Sequence, residues 1–339
     1  MTANVQTTPA AGRPRSDVLA LWGGILFSLA FTALIYALSG RLANVPHLPD
    51  AGASWYYWKL PAATFWGRFT SWGFYALHQI TIWGLFYYGQ TRVKRFSAGL
   101  TRLNVIALAA NAFFIALHLI QTHIWYDGLA QDVSIWTSQG SVIVMLVLIL
   151  LFENRRRGLF FGKKVPISQR IMGLVRDYHG YIFAWAMVYT LWYHPMEGTL
   201  GHLAGFFFMF MLLLQASLMY TRVHLQPWWT TSLEFAVLPH GTVVALMQGN
   251  NIWPMFAFGF GAIFVVTQMY GLGLPKWARW AIAGVYVALA LWVYSGRGWI
   301  QLNEIIRIPP IEYLLVFVFA GLIWLGFWIA GRLRRPAAA

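Results

Sequence analysis

The sequence predicts an all-α, polytopic membrane bundle of about ten transmembrane helices with both termini in the cytoplasm. Three observations carry this reading. Charged residues make up only 10% of the 339 residues and hydrophobic residues 59%, whereas a soluble domain carries about 25% charged residues. Apolar runs recur along the whole chain, most of them near the ~20 residues that cross a hydrocarbon core. The basic residues gather in every second loop between those runs, which is the bias that orients membrane helices.

The first seventeen residues are polar and rich in Pro, Ala and Thr, with Arg13 and Arg15, and read as a disordered cytoplasmic tail. The apolar run that follows is too long for a signal-peptide core and lacks a cleavage site, so it reads as the first span. Ten spans are expected, at 18–39, 68–89, 104–126, 139–153, 178–195, 200–221, 230–249, 252–272, 277–295 and 310–331. The 91–103 loop carries Arg92, Lys94, Arg95 and Arg102, and the 154–177 loop carries seven cations from Arg155 to Arg176. Arg222, Lys276, Arg279, Arg332, Arg334 and Arg335 fall on the same side. The intervening loops hold Asp50, Asp127, Asp132, Glu197 and Glu304, and so face outward. The chain thus reads as a single transmembrane domain over 18–335, placed in a bacterial inner membrane. It has an outer aromatic loop at 41–66 and an inner basic loop at 154–177, where a short surface helix is expected near Ile167 to Val175.

Trp and Tyr crowd the span ends, as at Trp125–Tyr126 and Trp228–Trp229. An aromatic belt at the two interfaces explains them. The net charge of +14 follows the loops rather than one patch, which argues against nucleic acid as a partner. The expected partners are the lipid bilayer, a hydrophobic small molecule such as a lipid, quinone or isoprenoid, and a further membrane protein. There is no cysteine, which excludes disulfides, thiolate metal sites and iron–sulfur clusters on this chain.

The chemistry-bearing feature is histidine at membrane depth. His78 and His240 fall near the middle of spans, His118 and His123 in the outer half of the third, and His194 and His202 on either side of an outer turn with Glu197 between them. His179 lies at an inner end. An ionisable or metal-binding side chain inside a membrane is costly and marks a functional site by default. His118 and His123 are five apart, about 140° on a helix, so they cannot share a metal, whereas His118 and Thr122 share a face. The turn from Tyr193 to His202 lets His194, Glu197 and His202 converge without helical spacing. Pro239 removes the hydrogen bond to Phe235 and kinks the helix beside His240, while Gly241 allows close approach. Glu234 is an acid within the same span, with Arg222 as its expected cytoplasmic-side partner.

Several chemistries are excluded by motif. No Walker A sequence, dinucleotide fingerprint, G-x-S-x-G elbow or H-E-x-x-H is present, nor the H-x-x-x-H clusters of integral-membrane desaturases. The leading expectation is a membrane oxidoreductase acting on a lipidic substrate through haem b or a non-haem metal ion, with iron favoured. His78, His118 and His240 would hold the cofactor, since imidazole suits iron, copper and zinc. His118, His123, His194, His202 and His240 are the candidate metal ligands. Glu197, His194 and Glu234 are the candidate catalytic groups. The alternatives are a metal-free acyl- or glycosyl-type transferase with a histidine base, a proton-coupled transporter, and an accessory subunit of a membrane complex.

Overall fold

A computed structural model describes residues 15–49, 59–249 and 251–333. The expected tail before Arg15 and the aromatic run Trp55–Trp58 lie outside them. The described residues are helical throughout and contain no strand, only two isolated bridges. Eleven α-helices follow in order: α1 Ser16–Leu38, α2 Phe65–Arg92, α3 Arg102–Trp125, α4 Ile135–Arg157, α5 Gln169–Tyr193, α6 Leu200–Ser217, α7 Pro227–Phe235, α8 Val237–Met247, α9 Trp253–Val266, α10 Lys276–Arg297 and α11 Ile308–Leu333.

Seven stretches are long and apolar enough to cross a membrane: Ser16–Leu42, Arg102–Trp125, Ile135–Arg157, Leu200–Ser217, Trp253–Gly271, Lys276–Arg297 and Trp299–Leu333. The other three expected spans correspond to α2, α5 and the α7–α8 pair. The first two are long but carry more polar residues, and the third is interrupted.

Helix starts follow local chemistry. Thr64, Ser134, Ser168 and Thr199 each accept a backbone N–H of the first turn through a side-chain hydroxyl. Gln226 does the same through its amide oxygen, ahead of Pro227 at the first helical position, where a missing N–H costs nothing. Two boundaries differ from expectation. α4 runs on through Arg155–Arg157, and α5 begins at Gln169, so the expected surface helix near Ile167–Val175 is the first turns of α5. The inner loop shrinks to 158–168. The basic end of α4 is held by packing and pairing: Arg157 is buried, and Arg156 bonds Glu153 and the Gly271 carbonyl.

The main core joins α1 to α6 around Trp192, Tyr193, Met196, Phe210 and Leu213, all buried. A second core joins α4, α5, α9 and α11 around Leu151, Ile263 and Val316. α1 approaches α6 at Gly24, where a Cβ would stand 2.3 Å from a Leu214 methyl carbon, so the crossing depends on a small residue. α10 and α11 bury few residues, and their outer faces expose Trp277, Trp280, Trp292, Leu314 and Leu322.

Candidate functional site

His78 lies on α2, fully buried, stacked on Phe114 at 4.3 Å. Trp192 Nε1–H of α5 donates to its Nδ1 at 3.2 Å, so Nε2 carries the proton and donates to Asn111 Oδ1 of α3 at 2.9 Å. Asn111 Nδ2 then donates to Ser217 Oγ of α6 at 2.8 Å, and Ser217 to the Leu213 carbonyl. Four helices are joined by one chain in which every member is satisfied. A nitrogen of His78 becomes available to a metal only if this chain breaks, so the structure gives His78 a structural place.

His118 and Thr122 share a buried face of α3, as their spacing predicts. Thr122 Oγ1 accepts Met196 N–H at 2.9 Å, which docks the outer turn onto α3. The His118 ring stacks on Trp192 at 4.3 Å and meets Phe206 nearly edge-on. Neither of its nitrogens has a hydrogen-bond partner, although the backbone of His194 lies beside it. His123 turns away and bonds the Leu119 carbonyl of its own helix through Nδ1.

The outer turn brings His194 and His202 together, with ring centroids 5.2 Å apart. His240 of α8 and His118 are the other imidazoles around His194. His202 is held by Thr199 at 2.8 Å as part of the α6 cap. Glu197 does not join them. The Tyr126 hydroxyl donates to Glu197 Oε1 at 2.5 Å, so His47 Nε2, 2.6 Å from that hydroxyl, donates to it in turn. His47, Tyr126 and Glu197 therefore tie the loop after α1 to the outer turn. His47 was not among the candidate residues and Tyr126 was expected only in an aromatic belt, although a histidine in a loop beside aromatic residues was a usable signal. Asp127 follows in the same cap. Burial pushes its carboxyl up to about 6, against the pull of the Gly128 N–H it accepts.

Glu234 pairs with Arg157, not with Arg222. Arg157 Nη1 and Nη2 reach its two carboxylate oxygens at 3.0 and 2.5 Å, and both side chains are almost wholly buried. Such a fork-to-fork pair holds a carboxylate charged and immobile, which removes Glu234 from the free acid/base groups. Glu312 of α11 is a second intramembrane acid that the sequence reading missed. Its signal was the same one that marked Glu234, a lone acid within an apolar run.

The α7–α8 interruption falls at Ala236, one residue after the carbonyl of Phe235 that Pro239 cannot serve. His240 N–H still reaches Ala236 O at 3.2 Å and restarts the ladder. Between this broken segment and α6 lies a cavity of about 330 Å³, lined by Ala204, Phe207, Phe208, Met211, Trp229, Leu233 and Pro239, with Ser232 and His240 as polar groups. Trp229 Nε1 is already spent on Gln215 Oε1 at 2.6 Å. His240 has no hydrogen bond to either ring nitrogen, and its Cε1 stands 3.1 Å from where a Cβ on Gly205 would be. Gly205 thus leaves the imidazole room to turn.

The expected bis-imidazole haem or multi-histidine metal site needs two or more ring nitrogens aimed at one point across open space. His78 is engaged on both sides, His118 is covered by Trp192 and Phe206, His123 is bonded to its own helix, His202 is held by Thr199 with His194 packed against it, and of the histidines only His240 lines the cavity. Among the described residues no three His, Asp or Glu side chains are placed to hold one metal ion. Comparison with protein-family models, curated proteins and solved structures finds no match to this chain.

Proposed function

We propose that this chain is a bacterial inner-membrane protein, with both termini cytoplasmic, that binds a hydrophobic small molecule between α6 and α8 and performs acid/base chemistry on it through His240. The observation that carries the reading is an unpartnered imidazole in the wall of an otherwise apolar cavity. Ligand sites are mostly apolar clefts of about 300–1,000 Å³ with a few placed polar groups. At about 330 Å³ this one suits the ring or the chain terminus of a quinone, isoprenoid or lipid. A neutral histidine supplies both a donor and an acceptor, so it can pass a proton to or from a bound ligand. His194 and His202, at the turn between α5 and α6, lie beside His240 and offer the transferred proton a way out.

The test is lipid extraction and mass spectrometry on the full chain purified in mild detergent. One hydrophobic species should be enriched over bulk lipid. Ala204→Phe, which fills the cavity, should abolish that enrichment. His240→Phe should weaken retention about tenfold, the loss of one hydrogen bond of ~1.4 kcal/mol. Absence of any enriched species, or retention unaltered by Ala204→Phe, would overturn the reading.

The interruption of α7–α8 supports a second reading, proton-coupled transport. Broken helices with buried ionisable groups at the break are how many transporters build their midplane sites.

A further inference from the structure

A second void lies on the other side of the α7–α8 break from His240's cavity. It holds about 10 Å³ and is bounded by Glu234 and Phe235 before the break, Val237 and Leu238 after it, Gln268 at the end of α9, and Glu312 of α11. That volume is close to the 10–15 Å³ that one water molecule requires. Glu312 is 5% exposed and Gln268 7%. Neither side chain has a hydrogen bond or ion pair to any described residue, and both line this void. A water needs two to four polar partners. Glu312, Gln268 and the Arg157-held Glu234 supply them.

We propose that Glu312 carries a proton in the resting protein, and that one water in this void links it to Gln268 and the Glu234–Arg157 pair, forming an intramembrane proton-binding site at the helix break. The two acids differ in what surrounds them. Glu234 has a guanidinium fork on both oxygens, whereas Glu312 has no cation. An isolated carboxylate buried away from water costs so much that such a group takes up a proton instead. With Glu312 neutral, Glu234 and Arg157 cancel and the cluster carries no net charge. Transfer of the Glu312 proton to the water, and from there out of the site, leaves one net negative charge beside the carbonyls that end α7. Protonation is thereby coupled to the geometry of the break. Beyond Arg157, the other ionisable groups on the elements packed against α11 are Glu153, Arg155 and Arg156 on α4, Arg170, Arg176, Asp177, Tyr178, His179, Tyr181, Tyr189 and Tyr193 on α5, Tyr270 after α9, and Tyr313 and Arg332 on α11 itself. None of them lines the void. The inference holds for either reading of function, because it rests on the void and not on the His240 cavity.

The experiment is infrared spectroscopy of the full chain in lipid at neutral pH, in H₂O and in D₂O. The carbonyl stretch of a protonated carboxyl group should be present in the wild-type protein and should shift on deuteration. It should be missing from E312Q and retained in E234Q. No such band, a band that survives E312Q, or a band that ignores D₂O would overturn the proposal. A second measurement avoids mutation. A hydrophobic carbodiimide attacks protonated buried carboxyl groups, and peptide mass spectrometry locates the adduct. Adduct at Glu312 and not at Glu234 supports the site even where E312Q fails to fold. Glu312 left unmodified while other carboxyl groups react overturns it.

Discussion

His78 shows what a buried imidazole needs in order to be inert. Both its nitrogens are used, and the chain through Asn111 and Ser217 closes on the backbone of α6. Asn111→Leu strands the His78 Nε2–H in a dry core, while the Ser217 hydroxyl keeps its bond to the Leu213 carbonyl, so it should cost about 1–3 kcal/mol for the unsatisfied donor. Thermal unfolding of both proteins in one detergent measures it. An Asn111→Leu protein as stable as the wild type would mean that water replaces the amide. Asp127 makes a pH prediction at the same scale. Burial holds its folded value at about 6, above the ordinary 3.8, so the folded state favours the protonated form. The stability it contributes is complete below about pH 4, is lost as pH rises through about 6, and changes no further above that. A displacement of about two pH units is worth on the order of 3 kcal/mol. Melting curves between pH 4 and 8 should show this fall in the wild type and a flat response in Asp127→Asn. If the fall persists in the variant, another group is responsible.

Between elements, the α7–α8 segment combines what was legible with what was not. Pro239 and the orphaned Phe235 carbonyl were readable, because proline acts on its own helix. The Arg157 partner of Glu234, 77 residues away, was not, because two long side chains find each other only after four or more helices pack. The start of α5 was misread for a related reason, since Arg170 and Arg176 look like loop residues in a chain of apolar runs, although Ser168 already caps the helix that carries them. Glu197 was placed with the wrong partners because the competing hydroxyl, Tyr126, sits in a left-handed turn that its own sequence does not announce. The proline argument makes a prediction. Pro239→Ala restores the N–H, should fuse α7 to α8, and should stabilise the protein by up to about 3 kcal/mol. Because Pro239 also walls the cavity, the same change should lower the amount of retained hydrophobic ligand. A higher melting temperature with less ligand is the expected pair of results. An unaltered melting temperature would mean that packing, not proline, sets the break.

At the scale of the whole molecule, burial and charge divide the protein differently. The densely packed body is built on α3 to α6, whereas α1, α10 and α11 present aromatic and aliphatic side chains outward along most of their length. That exposed apolar surface has the composition of a lipid-facing one. Orientation rests instead on the loops. The segment between α2 and α3 and the turn 158–168 hold arginine and lysine, whereas the caps before α4 and after α5 hold Asp127, Asp132 and Glu197. The chain contains no cysteine, so single cysteines report their side of the membrane without background. Ser134 and Ser168 are both exposed, on loops assigned to opposite sides. In intact spheroplasts a membrane-impermeant maleimide should label Ser134→Cys, and should label Ser168→Cys only after permeabilisation. The reverse pattern would invert the protein and put the His194–His202 turn on the cytoplasmic face. Labelling of both without permeabilisation would put the two loops on the same side, and the assignment of α4 as a single crossing between them would have to be abandoned.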